Sequence, residues 1–142
     1  EDMPIQPKGA QSVIGTVELA EEYLAGLVDL DGFSHIYLLY QFHMAQRTAL
    51  TVTPFMDTKP RGVFATRSPL RPNHIGISIV RLVGIAKNII TVQGIDILSG
   101  TPLLDVKPYI AAFDAVHDSR SGWMQGSVED VSRKRSDSRF VG

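Results

Sequence analysis

The chain contains no cysteine, which excludes a disulfide framework, a thiolate metal site and a cysteine nucleophile. That composition suits a reducing compartment, and a cytoplasmic protein is expected. Long apolar runs are missing too. The longest, over residues 36–42, is broken by tyrosines and Gln41 and falls well short of the roughly 20 residues that span a bilayer. The opening Glu1-Asp2-Met3-Pro4 has no signal-peptide character. No G-x-G-x-x-G follows a strand, which argues against a Rossmann-type nucleotide site, and no phosphate-binding P-loop motif occurs. G-x-S-x-G and H-E-x-x-H are likewise absent. The four histidines, His35, His43, His74 and His117, lack metal-ligand spacing, so no metal is expected.

Acid is missing from one long stretch. Residues 58–95 hold no Asp or Glu, while Lys59, Arg61, Arg67, Arg71, Arg81 and Lys87 are all basic. Residues 1–31 show the reverse, with seven acids against the single base Lys8. A chain segregated in this way can present one positive face, which suits a phosphate-bearing partner such as RNA.

What is present reads as one domain over residues 1–142, with 44% apolar residues. Residues 11–19 alternate, with Val13, Gly15, Val17 and Leu19 on one face, as in a strand. Residues 20–27 predict a short helix with Glu21 and Glu22 in its first turn. Residues 34–43 form the clearest strand, with Ile36, Leu38, Tyr40 and Phe42 inward and Gln41 and His43 at the far end of the other face. Val63-Phe64-Ala65 predicts a short strand, and residues 75–85 a longer one that turns at Asn88 into a hairpin strand over 89–97. Leu103 to Lys107 predicts a last strand, with Leu104 and Val106 on one face and Asp105 and Lys107 on the other. Periodicity fades after Ala115, leaving an irregular, serine-rich and basic segment over about 115–142. Six or so short strands, one or two short helices and no alternating strand–helix units predict a mainly β domain, a barrel or a sandwich.

Between two of these strands lies the loop Thr66-Arg67-Ser68-Pro69-Leu70-Arg71-Pro72-Asn73. Its prolines fix φ and remove backbone donors, so it is stiff. A stiff loop that projects Arg67 and Arg71 from a sheet can grip an anion. Polar residues elsewhere offer partners: Gln41 and His43 on a strand end, Asp96 near the end of the hairpin strand, and Asp105, Lys107 and Tyr109 on one strand face. Each has an ordinary structural explanation as well. Asp105 and Lys107 could be a surface pair, His43 a core histidine, and Asp96 a cap of the Ser99-Gly100 turn.

The run Gly62-Val63-Phe64-Ala65-Thr66-Arg67-Ser68-Pro69-Leu70-Arg71-Pro72-Asn73, leading into Ile75-Gly76-Ile77-Ser78, resembles the signature of the TsaA-like (TrmO) family. The resemblance extends to Met3-Pro4-Ile5-Gln6-Pro7, to Gly32-Phe33-Ser34-His35, to Gly94-Ile95-Asp96, and to the block from Gly100 through Ile110. It implies a single-sheet β-barrel and a homodimer with the cofactor site near the subunit boundary. The implied activity is S-adenosylmethionine-dependent methylation of N6 of threonylcarbamoyl-adenosine next to the anticodon of tRNA. The family's cofactor contacts fall on Pro4, Ile5, Gln6, His43, Met44, Arg67, Asp96, Ile97 and Leu98. Arg71, Asn73, Lys107 and Tyr109 are expected to meet the substrate, with His43, Arg67, Asp105 and Lys107 as the catalytic set.

Three departures from the family pattern stand out. His74 replaces a second proline and is expected to loosen the loop; Ser99 replaces an acid before Gly-Thr-Pro; and the strand that usually precedes the Met-Pro segment is not in this sequence. Two other readings of the residues are a non-catalytic barrel that binds a nucleoside or S-adenosylmethionine, and a plain RNA-binding barrel.

Overall fold

A computed structural model describes residues 13–55, 57–97 and 99–125. Its frame is a five-stranded antiparallel sheet whose strands lie side by side in the order 14–18, 89–93, 75–86, 35–41 and 103–108. The strands are β1 (Ile14–Glu18), β2 (His35–Gln41), β5 (Ile75–Ala86), β6 (Ile89–Gln93) and β7 (Leu103–Pro108). A separate ribbon pairs β3 (Thr51–Val52) with β4 (Arg61–Gly62).

β5 organises the sheet. Its first half pairs with β2, from Ile75 opposite Gln41 to Arg81 opposite His35, and its second half with β6. The register shifts between Leu82 and Gly84, so Val83 is an extra, exposed residue. An extra residue of this kind bends a strand and increases its twist. The bend curls the sheet around one core of Ile36, Leu38, Tyr40, Val80, Ile90 and Val92. Val17 of β1 and Val106 of β7 both pack on that core, although they lie on opposite edges of the sheet. Laid flat, those edges would be roughly 19 Å apart at about 4.8 Å per strand spacing. The curl is that of a barrel, and a cleft of about 750 Å³ runs between the end of β1 and β7, walled by Leu27, Leu30 and Phe33.

Most of the predicted elements are where the alternation puts them. Ile36, Leu38 and Tyr40 are buried and Phe42 packs on the core. Residues 20–27 do coil, as a 3-10 helix over Glu21–Leu27 with Glu21 and Glu22 in its first turn. Three local expectations are overturned. Val63–Ala65 is a 3-10 turn, not a strand, because the Thr66 amide and hydroxyl both donate to the Val63 carbonyl, at 3.1 and 2.8 Å, and close the chain on itself. The strand role passes to Arg61–Gly62. The hairpin strand stops at Gln93, since Gly94 has a φ of +94° and turns the chain away, leaving Asp96 in the loop beyond. On β7 it is Leu103 and Val106 that reach the core, while Leu104 is 52% exposed. Leu39 pairs with Asp105 and Tyr40 with Leu103, so Leu104 is bulged out of the ladder.

Beyond β7 the chain forms a single helical turn, α1 (Ala111–Asp114), and a 3-10 turn over Gly122–Met124. Trp123 returns to the rest of the molecule: its indole N–H donates to the Ala65 carbonyl at 2.7 Å, and its ring lies 5.7 Å from the Arg61 guanidinium. Among the described residues no helix is long and apolar enough to cross a membrane.

Candidate functional site

The proline loop is held by its own polar side chains. Thr66 Oγ1 accepts from the Ser68 amide at 3.2 Å, and Ser68 Oγ accepts from the Leu70 amide at 3.2 Å. Arg71 is turned back onto the loop. Its Nη1 donates to the carbonyls of Thr66 and Ser68 at 2.8 and 3.1 Å, and its guanidinium lies 5.9 Å from the Phe64 ring. The Ala49 amide donates to the Leu70 carbonyl at 2.9 Å and ties the loop to the chain before β3.

His74 closes the loop rather than loosening it. Its backbone has a φ of +50°, a left-handed conformation that proline, with φ locked near −65°, cannot adopt. Its Nδ1–H donates to the Pro69 carbonyl at 2.8 Å, its amide to the Arg71 carbonyl at 3.1 Å, and its carbonyl accepts from the Phe42 amide at 2.7 Å. The departure from proline therefore brings its own latch.

Arg67 is the exception on this loop. It is exposed, and among the described residues its guanidinium forms no hydrogen bond or ion pair. Its positive charge acts on the Tyr40 hydroxyl and opposes the rise in that group's pKa. Burial raises the Tyr40 pKa most, and the charge of Asp96 adds to the rise. Arg67 and Asp96 thus bear on the same hydroxyl from loops separated in sequence.

That hydroxyl begins a chain of hydrogen bonds on the inner face of the sheet. Tyr40 Oη lies 2.9 Å from Ser78 Oγ, and Ser78 Oγ–H donates to Asp96 Oδ1 at 3.2 Å. Since the one hydroxyl proton of Ser78 goes to Asp96, Tyr40 must be the donor to Ser78. Burial pushes the Asp96 carboxyl above its ordinary value, offset in part by the Ser78 hydroxyl. Gly76 makes room for this arrangement. A Cβ there would lie 2.7 Å from Tyr40 Cζ, 2.8 Å from Phe42 Cζ and closer still to Tyr40 Cε2. The tyrosine ring crosses directly over the glycine to reach Ser78.

Arg67 and Asp96 both act on the Tyr40 hydroxyl, and Ile97 is half-buried against the core. His43 and Met44 lie exposed on the turn after β2, where the Ala45 amide donates to the Phe42 carbonyl. His43 is not a core histidine. Asn73 is exposed at the loop's end. Asp105 and Lys107 are on the other side of the sheet: they pair with Leu39 and Tyr37, whose side chains alternate with the buried Leu38 and Tyr40. They form an exposed ion pair at 3.6 Å. Tyr109 stands on that outward face too, its ring 5.8 Å from Tyr37 and 6.5 Å from His35. Pro4, Ile5, Gln6 and Leu98 lie outside the described residues.

Sequence reasoning missed Ser78 and gave Tyr40 only a packing role. The usable signal was that Gly76, Ser78 and Val80 share the inward face of β5, so a hydroxyl was being pointed into the core. A buried hydroxyl needs a partner. Among the described residues no group of three or more His, Cys, Asp or Glu could hold a metal ion.

A curled antiparallel sheet with a locked, arginine-bearing loop and an inward hydroxyl–carboxylate chain defines a mainly β, barrel-like domain. More specifically, the chain belongs to the tRNA-methyltransferase O N-terminal domain family, which its residues 1–115 match. A Pyrococcus abyssi protein named "Probable S-adenosyl-L-methionine-binding protein" is 49% identical over 140 residues, 99% of this chain and 76% of its own length. The human tRNA (adenine(37)-N6)-methyltransferase is 41% identical over 92 residues, 63% of this chain but 21% of the human protein. The crystal structure of TrmO from Pseudomonas aeruginosa superimposes with a TM-score of 0.71 at 41% identity, covering 87% of this chain. This chain spans 55% of the crystallised protein.

Proposed function

We propose that this chain is an S-adenosylmethionine-dependent methyltransferase domain that acts on N6 of threonylcarbamoyl-adenosine next to the anticodon of tRNA. The observation that carries this reading is Arg67, an uncommitted guanidinium on a locked loop, whose charge bears on the hydroxyl that begins the Tyr40–Ser78–Asp96 chain. The residues fit the cofactor's charges. S-adenosylmethionine bears a carboxylate, an ammonium and a sulfonium, and a guanidinium and a half-buried carboxylate bearing on one hydroxyl complement both signs. Arg67 would hold the carboxylate and Asp96 face the cationic part. His43, Met44, Ile97 and Leu98, with Pro4, Ile5 and Gln6, would complete the enclosure. When bound, the cofactor supplies an electrophilic methyl group, and the protein's main task is in-line positioning.

The acylated N6 of the substrate is a weak nucleophile with an acidified proton, so a base within hydrogen-bond reach aids transfer. His43 and Asp105 are the candidates. Asp105, Lys107 and Tyr109 face outward, and in this reading they serve a site completed by a second subunit. The outer face of β5 supports such a pairing: Ile75, Ile77 and Ile79 are 43%, 41% and 42% exposed in one unbroken row. A row of that kind marks a docking surface. Arg71 and Asn73, on the loop, and Lys107 would meet the tRNA in the cytoplasm, Arg71 through whatever donors its loop bonds leave.

A second reading, a barrel that binds the cofactor without transferring methyl, draws on the placement of Asp105 and Lys107 on the opposite face of the sheet from the buried Tyr40 and Ser78. One experiment separates the two. The protein is incubated with methyl-labelled S-adenosylmethionine and total tRNA from a strain that makes threonylcarbamoyl-adenosine, and in parallel with tRNA from a strain that does not. Label in the first tRNA alone supports the enzyme. Cofactor binding with no label in either supports the binding module and rejects the enzyme.

A further inference from the structure

Asp96 is half-buried, yet among the described residues no Lys, Arg or His forms an ion pair with it; the ion pairs there are Arg61–Asp57 and Lys107–Asp105. A carboxylate withdrawn from water without a counter-cation is unfavourable, and proteins usually avoid it or pair it. Here the fold maintains it. Ser78, 4% exposed, donates to Oδ1, and Tyr40, 7% exposed, donates to Ser78, so the carboxylate cannot turn away without leaving the buried Ser78 hydroxyl proton without its acceptor. Gly76 is the seat that lets the tyrosine ring reach Ser78. Ser78, Tyr40 and Gly76, on two strands, thus hold the unpaired Asp96 carboxylate in place.

We infer that Asp96, oriented by Ser78 and Tyr40, is the group that distinguishes the charged sulfonium donor from the neutral thioether left after methyl transfer. This rests on the cofactor reading above. The donor and its demethylated product share their adenosine and amino-acid parts and differ by one methyl group and one positive charge. A fixed carboxylate facing that region favours the donor and loses its counter-charge when the methyl leaves, which favours exchange of spent cofactor for fresh. Asp96 meets the ligand; Ser78 and Tyr40 are positioning residues that act through it.

The test is calorimetric titration of the full chain with S-adenosylmethionine and, separately, S-adenosylhomocysteine, with circular dichroism to confirm folding. In the Asp96→Asn variant the preference for the donor over the product is expected to fall by about tenfold to a hundredfold, the size of one charge-assisted contact. Ser78→Ala and Tyr40→Phe should lower the same ratio by less, and Glu22→Gln, on the exposed 3-10 helix, should leave it unchanged. A merely structural role for Ser78 and Tyr40 would weaken both ligands equally and keep the ratio. If the unaltered protein binds both ligands and the Asp96→Asn ratio matches it, the inference is wrong while the cofactor reading stands. If the unaltered protein binds neither, the cofactor reading fails and this inference fails with it.

Discussion

Placing a single methyl group at residue 76 is a sharp probe of the site's construction. In Gly76→Ala the new Cβ would stand 2.7 Å from Tyr40 Cζ and 2.8 Å from Phe42 Cζ, distances at which something must move. The backbone is held by ladder pairing of Gly76 with Tyr40 itself, so the rings must yield. The two rings pack edge to face with centroids 5.5 Å apart, and the tyrosine is 7% exposed with its hydroxyl on Ser78, so the tyrosine ring cannot move without giving up its packing or that bond. Overpacking of this kind costs about 1–3 kcal/mol, and a lost buried hydrogen bond about 1 kcal/mol more. A total destabilisation of about 2–4 kcal/mol would lower the urea midpoint by about 1–2 M, given a slope near 2 kcal/mol/M. Gly84→Ala on the same strand is the control, since a Cβ there meets nothing within 4 Å and its effect should stay within about 0.5 kcal/mol. Equilibrium urea unfolding followed by tryptophan fluorescence and circular dichroism reads both variants. If Gly76→Ala unfolds at the same midpoint as Gly84→Ala, the tyrosine does not cross the glycine as described, and the Tyr40–Ser78–Asp96 chain loses its structural basis.

Other expectations follow from single groups. Because burial holds the Asp96 carboxyl above its unfolded value, the folded state binds the extra proton, and Asp96 lowers stability as pH rises from the ordinary carboxylate range through its folded pKa. Asp96→Asn should therefore unfold at higher urea than the unaltered protein at pH 7, with the gain shrinking below about pH 4; an equal loss at both pH values would contradict this. At residue 74, His74→Pro forces φ from +50° towards −65° and removes the amide bond to Arg71, so a loss of about 3 kcal/mol is expected, whereas His74→Asn, which tolerates the left-handed region, should cost about 1 kcal/mol through the lost Pro69 contact. Thermal unfolding of the two variants checks it, and equal losses would reject the latch. On β7, Leu103→Asp should destabilise by several times more than Leu104→Asp, since the bulge turns Leu104 outward; the opposite order would restore simple alternation.

The strands themselves were legible because a half-buried strand must alternate, and Ile36, Leu38 and Tyr40 do so without interruption. The loop's stiffness was legible in its prolines, and the lack of an acid partner for Arg67 in the absence of any acid near it in sequence. What alternation could not reveal is any feature that belongs to two strands at once. The bulge at Leu104 exists only in the pairing of β7 with β2, so the inward face of β7 could not be read from β7 alone. The same holds for His74. As one residue in a row it replaced a proline; in the folded loop it reaches five residues back to Pro69 and takes a backbone conformation proline is denied.

Sequence by itself determined a mainly β chain, a rigid basic loop and a family resemblance, since periodicity, proline content and motif spacing are local properties. Only tertiary structure decided which polar groups meet. Tyr40 and Ser78 are 38 residues apart and Ser78 and Asp96 18 apart, and strand pairing, the bend of β5 and the turn at Gly94 bring them into one chain of hydrogen bonds. It also put Asp105 and Lys107 on the face of the sheet opposite the buried Tyr40 and Ser78, because a strand's two faces are separated by its backbone whatever the spacing in sequence suggests.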